Sequence, residues 1–247
     1  MSLEKSIIGG SYSIPRTAPL YGCPPYEYRD SWIMNILFKT NAEVIRELVP
    51  EPLVPNPDNL MSIFVCRHNA SVFGLYNEAL LFVPSIFEGV SGNYVVYLYM
   101  DKDAGIAAGR EIYGWPKKEA RITLIEKDEV LLATVERGGI ELVRAAMELA
   151  EPGRSEDFSI SEPWFNFKLI PSVKKDAPPE VMQLTSTTEE NLKVKQAYTG
   201  KATLEFGTSP VDPLHKIAIT EVMGGVYMNA DFTLTYGDVI YNYLTLT

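Results

Sequence analysis

Two adjacent lysines, Lys117 and Lys118, follow directly on Glu111-Ile112-Tyr113-Gly114-Trp115-Pro116, a Gly-aromatic-Pro break that ends a short Ala/Gly-rich stretch. A lysine is a nucleophile only as the neutral amine. With a reference pKa near 10.4, roughly four in ten thousand such amines are neutral at pH 7. Burial in an apolar pocket, or a second cation close by, raises that fraction. Both are on offer here, through Ile112, Tyr113 and Trp115 and through the neighbouring lysine. Lowering a lysine pKa by about four units corresponds to about 5–6 kcal/mol of differential destabilisation of the ammonium, which chemistry explains better than folding does. The plain alternative is a solvated surface pair, since lysine is among the residues least often buried.

The ten residues from Gly109 to Lys118 resemble the active-site segment of acetoacetate decarboxylases, whose lysine is itself a standing example of an activated amine. The resemblance continues in order along the chain. Leu48-Val49-Pro50-Glu51-Pro52-Leu53 is similar to the family's turn after an early helix, and Tyr76-Asn77-Glu78 with Val83-Pro84 to its Tyr-x-Glu…Ile-Pro segment. Gly89-Val90-Ser91-Gly92-Asn93-Tyr94, Tyr99-Met100-Asp101 and Val239-Ile240-Tyr241-Asn242-Tyr243-Leu244 complete a set that spans about Pro25 to Leu244.

The resemblance implies that Lys117 forms a Schiff base with the ketone of a small oxo acid, and that Glu78 is the acidic residue beside it. Tyr76 shares the face of Glu78 if the chain is extended there, as a hydrogen-bond donor to substrate or as a core tyrosine. Lys118 either tunes Lys117 by charge repulsion or points elsewhere and serves structure, because successive residues of an extended segment face opposite ways. Aligned on Pro25-Tyr26, the family's substrate-binding arginine falls at Ser31; aligned from Glu78, a second family glutamate falls at Ile63. Arg29 is the candidate replacement cation, two residues before Ser31. The substrate-binding set is therefore Arg29, Ser31, Ile63, Tyr76 and Tyr113.

An iminium on Lys117 accepts an electron pair from the adjacent carbon. That serves decarboxylation of a 3-oxo acid such as acetoacetate, and equally serves enamine formation from pyruvate followed by aldol addition and dehydration. The losses at Ser31 and Ile63 favour the second. A ligand-binding protein with an inert Lys117 is the alternative from another class. The resemblance implies no cofactor and a homo-oligomer.

Other constellations are weak. Cys66 and His68 have metal-like spacing, but a closed zinc site would also need Cys23 and His215, the only others of their kind; no metal is expected. No Gly-x-Ser-x-Gly elbow occurs. Gly138-Gly139 and Gly224-Gly225 read as turns or bulges.

The chain has 247 residues, 46% apolar and 22% charged, which is ordinary for a soluble globular protein. A net charge of −10 without a basic stripe argues against nucleic acid and anionic membranes. Two cysteines form no secreted framework, the first thirty residues lack signal-peptide features, and no apolar run approaches a membrane span. A reduced, cytoplasmic protein of one domain, residues 1–247, is expected.

The elements that must position the lysine read mostly as strands: Trp32–Phe38, Tyr94–Met100, Arg121–Ile125, Val130–Arg137, Leu192–Tyr198, Ala202–Phe206 and Phe232–Tyr236, with Glu126–Glu129 as a hairpin turn. Thr40–Val49 reads as a helix with a Thr40/Glu43 capping box, stopped by Pro50. Asp103 is a candidate cap for a second helix, Ala104–Tyr113, whose small residues permit close backbone packing. Ile140–Ala150 is helical by propensity, but the resemblance makes it a strand with Glu141, Val143, Ala145, Met147 and Leu149 on one face. Pattern alone gives a β-rich α+β fold; the resemblance implies a β-cone or barrel flanked by antiparallel sheet, with few short helices.

Overall fold

Alternation along strand β1 (Tyr26–Lys39) sets the plan of the molecule. Tyr26, Tyr28, Ser31 and Ile33 turn to one face, Met34, Ile36 and Phe38 to the other, and both sets are buried. The change of phase between Tyr28 and Ser31 is a β-bulge, with a register shift against the neighbouring strand and Asp30 at φ 52°. Bulges re-aim side chains; this one lets Tyr28 and Ser31 share a face.

The computed structural model describes residues 12–154 and 163–245. After β1 come β2 (Val54–Pro55), β3 (Leu60–Ser71), β4 (Tyr76–Phe87), β5 (Val90–Met100), β6 (Lys117–Glu119), β7 (Arg121–Lys127), β8 (Val130–Arg137) and β9 (Ile140–Glu148). Then follow β10 (Glu151–Pro152), β11 (Trp164–Ile170), β12 (Val181–Gly200), β13 (Ala202–Phe206) and β14 (Glu221–Asn242). The long strands pair in the order β4–β3–β1–β14–β12–β11–β5, and β5 pairs back onto β4, so the sheet closes into a barrel. Closure removes the open edges that long strands would otherwise present. β6 adds to β5 in parallel, and a separate antiparallel sheet has the order β13–β9–β8–β7.

Two cores result. The inner one draws on every barrel strand, with Tyr28, Cys66, Tyr76, Met100, Trp164, Ala197 and Phe232 among its members. The outer one joins Ile36, Ile63, Val65 and Leu81 of the barrel to Leu124, Leu131 and Val143 of the second sheet. The fold is thus β-rich α+β, a barrel flanked by antiparallel sheet with few short helices. Among the described residues no helix is long and apolar enough to cross a membrane.

Every expected strand is present, several as parts of longer ones. The β7–β8 turn narrows from Glu126–Glu129 to Asp128-Glu129, both at positive φ (51° and 61°), as the primed two-residue turns require. Ile140–Glu148 is a strand, so pairing with β8 and β13 overrides helix propensity. A register shift beside Leu142 puts both Leu142 and Val143 in the core and leaves Glu141 exposed, so Glu141 does not share the face of Val143, Ala145 and Met147. Gly138-Gly139 forms the β8–β9 turn at positive φ. Gly224-Gly225 lies within β14 beside a register shift against β1.

The helices are shorter than expected. α1 is Ala42–Leu48, capped by Asn41 without a side-chain bond. Thr40 is buried with its hydroxyl unpartnered among the described residues, so the capping box is not made. α2 is Asp103–Ala108, begins at Asp103 rather than after it, and passes into a π-helical turn, Gly109–Tyr113. Gly114 at φ 81° ends that turn in the left-handed region.

Candidate active site

The π-helical turn and Pro116 deliver the chain to β6 in an extended conformation. There Lys117 pairs with Leu98 and Lys118 with Tyr99, so the two lysines inherit opposite faces of β5. Lys117 enters the barrel. Lys118 leaves it, and its Nζ meets Asp212 Oδ1 at 2.6 Å. Asp212 is almost wholly buried, and also accepts from Tyr99 Oη (3.1 Å) and Arg137 Nε (3.2 Å). Burial alone would raise its carboxyl, but Lys118, Tyr99 and Arg137 together hold it below the usual range.

Inside the barrel, Lys117 Nζ lies 3.2 Å from Glu78 Oε2, 3.4 Å from Met100 Sδ and 5.9 Å from the centre of the Trp115 ring. The Lys117 and Glu78 side chains are only 11% and 14% exposed. The lysine stem runs against α2's continuation: a Cβ on Gly109 would sit 2.6 Å from Lys117 Cδ and Cε. A glycine there leaves room for the nucleophile.

Glu78 Oε1 is 3.1 Å from His68 Nε2, and His68 Nδ1 is 2.8 Å from Ser31 Oγ. A carboxylate only accepts, so Nε2 carries the proton and Nδ1 is free to accept from the Ser31 hydroxyl. A hydrogen-bonded chain, Ser31–His68–Glu78–Lys117, therefore crosses β1, β3, β4 and β6. Burial would raise the Glu78 carboxyl; the Lys117 charge and the bonds from His68 and Lys117 outweigh it and hold the group at about 2.

Lys117 and Glu78 open on a cavity of about 50 Å³ with largely aromatic walls. That is a few times the roughly 10–15 Å³ that admits one water, a scale suited to a small organic acid. Trp115 forms part of the wall, and its buried indole N–H has no hydrogen-bond partner among the described residues. Glu189 of β12 faces the same space, with both carboxyl oxygens on Trp164 Nε1 (2.7 and 2.6 Å). Burial, opposed by the Trp164 bond, pushes its carboxyl up to about 8.

A family model described as acetoacetate decarboxylase matches residues 13–244. The chain belongs to the acetoacetate decarboxylase family. Acetoacetate decarboxylase 1 of Mesorhizobium japonicum is 30% identical over 244 residues, 98% of each chain. The crystal structure of acetoacetate decarboxylase from Legionella pneumophila is 29% identical, with a TM-score of 0.89 over 96% of each chain. The enduracididine biosynthesis enzyme MppR complexed with pyruvate shares the fold, with a TM-score of 0.82 at 16% identity over 94% of this chain and 98% of that one.

Among the residues singled out by resemblance to the acetoacetate decarboxylase family, Lys117, Glu78 and Tyr113 line the cavity. The Tyr113 hydroxyl donates to the Thr235 carbonyl (2.9 Å), so its ring rather than its hydroxyl serves the wall. Tyr76 is on the face of Glu78 but one layer back, buried, with its hydroxyl on that of Tyr28 at 3.2 Å. Ser31 reaches the site only through His68.

Two residues are elsewhere. Ile63 lies on the outer face of β3 and packs in the outer core, because the inward residues of that strand are Phe64, Cys66 and His68. Arg29 is exposed and pairs with Glu27 at 2.9 Å, since the bulge turns it out of the barrel. The ungapped alignment therefore puts the second family glutamate on the wrong face of β3, and Arg29 supplies no cation to the cavity.

Sequence reasoning missed Tyr28, His68, Phe232 and Glu189. His68 had a signal: it lies two residues after Cys66 on an alternating strand. Glu189 had none, standing beside Glu190 as an ordinary charged pair.

Proposed function

We propose that this chain is a Schiff-base lyase that decarboxylates a small 3-oxo acid of the acetoacetate class. The observation that carries the proposal is the Lys117 amine, enclosed in a small aromatic cavity and bonded to Glu78. Glu78 takes the proton that Lys117 must shed before attack on the ketone. Loss of water then gives an iminium, and the electron pair of the breaking carbon–carboxylate bond passes into it as carbon dioxide leaves. Protonation of the enamine carbon and hydrolysis release the ketone and restore the amine. His68 and Ser31 hold Glu78 in place for the proton it accepts. Lys118, anchored on Asp212, fixes β6.

A second reading rests on Ser31, which stands where the family's arginine aligns and is committed to His68. A cavity without that guanidinium favours a pyruvate enamine that adds to an aldehyde and loses water. The two are separated by assaying acetoacetate for carbon dioxide and acetone, and pyruvate with a panel of aldehydes for condensation products. Carbon dioxide released in step with acetone, and lost in Lys117→Arg, is the expected result. Condensation products from pyruvate with inert acetoacetate would favour the second reading.

A further inference from the structure

The mechanism leaves one carboxyl of the cavity without a task. Glu189 stands on β12, and is held by Trp164 rather than by a cation. The indole is itself fixed, its ring centre 5.7 Å from Phe64, 5.2 Å from Phe82 and 5.8 Å from Trp115. A register shift between Thr187 and Glu189 against β14 sets two residues, Thr235 and Tyr236, opposite Thr188, the kind of bulge that redirects a neighbouring side chain. A half-buried glutamate with no cation beside it is costly unless it is neutral or used.

We infer that Glu189 is the proton donor to the enamine carbon formed on Lys117, a role distinct from that of Glu78. The inference rests on the lyase reading above. After the carbon–carboxylate bond breaks, the enamine carries its electron pair on the carbon remote from nitrogen. That carbon takes the proton of the Glu189 carboxylic acid. The nitrogen lone pair closes the carbon–nitrogen double bond, leaving an iminium and a Glu189 carboxylate, which regains its proton from water.

The two cavity carboxyls are suited to opposite tasks. Glu78 is an anion between Lys117 and His68, whereas the raised Glu189 keeps its proton at neutral pH. The other titratable groups lining the cavity are Lys117 itself and the phenols of Tyr26, Tyr28 and Tyr113, with the Cys66 thiol and the Tyr76 phenol buried behind them.

Glu189→Gln tests the assignment because an amide oxygen still accepts from Trp164 while the transferable proton is gone. With acetoacetate, kcat should fall by about 10²-fold or more with KM little changed, and borohydride should still trap an adduct on Lys117. In a single turnover carbon dioxide should appear at close to the wild-type rate while acetone lags. The wild-type kcat should fall on the basic side as Glu189 ionises, and the variant should lack that limb. A variant that turns over at the wild-type rate with the same basic limb would overturn the inference. So would a variant that loses trapping and turnover together, which would place Glu189 in imine formation. No Lys117 adduct in the wild type would overturn both through the lyase reading.

Discussion

Lys117 and Lys118 are adjacent in the chain, yet their amino groups belong to opposite faces of β6, one 3.2 Å from Glu78 in the barrel and the other 2.6 Å from Asp212 outside it. Strand alternation alone separates them. The two lysines therefore fail in different ways when replaced.

Lys118→Met should cost stability rather than chemistry. Lys118 is over a third exposed and Asp212 keeps Arg137 and Tyr99, so the loss should be about 1 kcal/mol. Asp212→Asn removes a buried anion shared by two cations and should cost about 3 kcal/mol. Thermal denaturation reads both, and Lys117 should still be trapped by borohydride in each.

Glu78→Gln should lower turnover by about 10²–10⁴-fold by removing the base. It should also change the acid limb of stability. The folded pKa of Glu78 is depressed to about 2 from the usual 4.5, so its contribution is fully present above pH 4.5 and is lost as pH falls through 2. Denaturation midpoints between pH 5 and pH 2 should fall more steeply for the wild type than for the variant.

For Glu189 the sign is reversed. Its folded pKa is raised to about 8, so relative to a glutamine the wild type loses stability as pH climbs from about 4.5 to 8, and no further above that. Glu189→Gln should therefore raise the melting temperature by an amount that grows across this window. A gain independent of pH would contradict the assignment of a neutral carboxyl.

Gly109→Ala should fold and yet react poorly. The added methyl would meet Lys117 Cδ and Cε at 2.6 Å, and the lysine stem can yield only by moving its amine. A displacement of about 1 Å is worth about 10²-fold in rate. Adduct formation under borohydride should slow accordingly, with circular dichroism unchanged.

The nucleophile was legible because a lysine pair after Tyr113-Gly114-Trp115-Pro116 is local information. So were most strands, whose alternation is a property of short windows. The barrel was implied by the resemblance but not by the pattern, since closure depends on β1 pairing with β14 and β5 with β11 across long separations. The faces of Ile63 and Arg29 were lost for the same reason: an ungapped alignment carries no knowledge of the bulge at Asp30 or of which side of β3 turns inward. Glu141 failed through a bulge as well. Glu189 gains its character only from Trp164, which lies 25 residues earlier in the chain.

The central claim is a Schiff base on Lys117, and borohydride trapping followed by peptide mass mapping tests it most directly. With acetoacetate, an isopropyl group on Lys117 is expected, showing that carbon dioxide left before reduction. With pyruvate, an adduct that keeps its carboxylate would mark enamine chemistry of the aldolase-dehydratase kind. No adduct on Lys117 from either acid, or an adduct on Lys118 instead, would contradict the account and leave a binding protein on the same barrel as the better description.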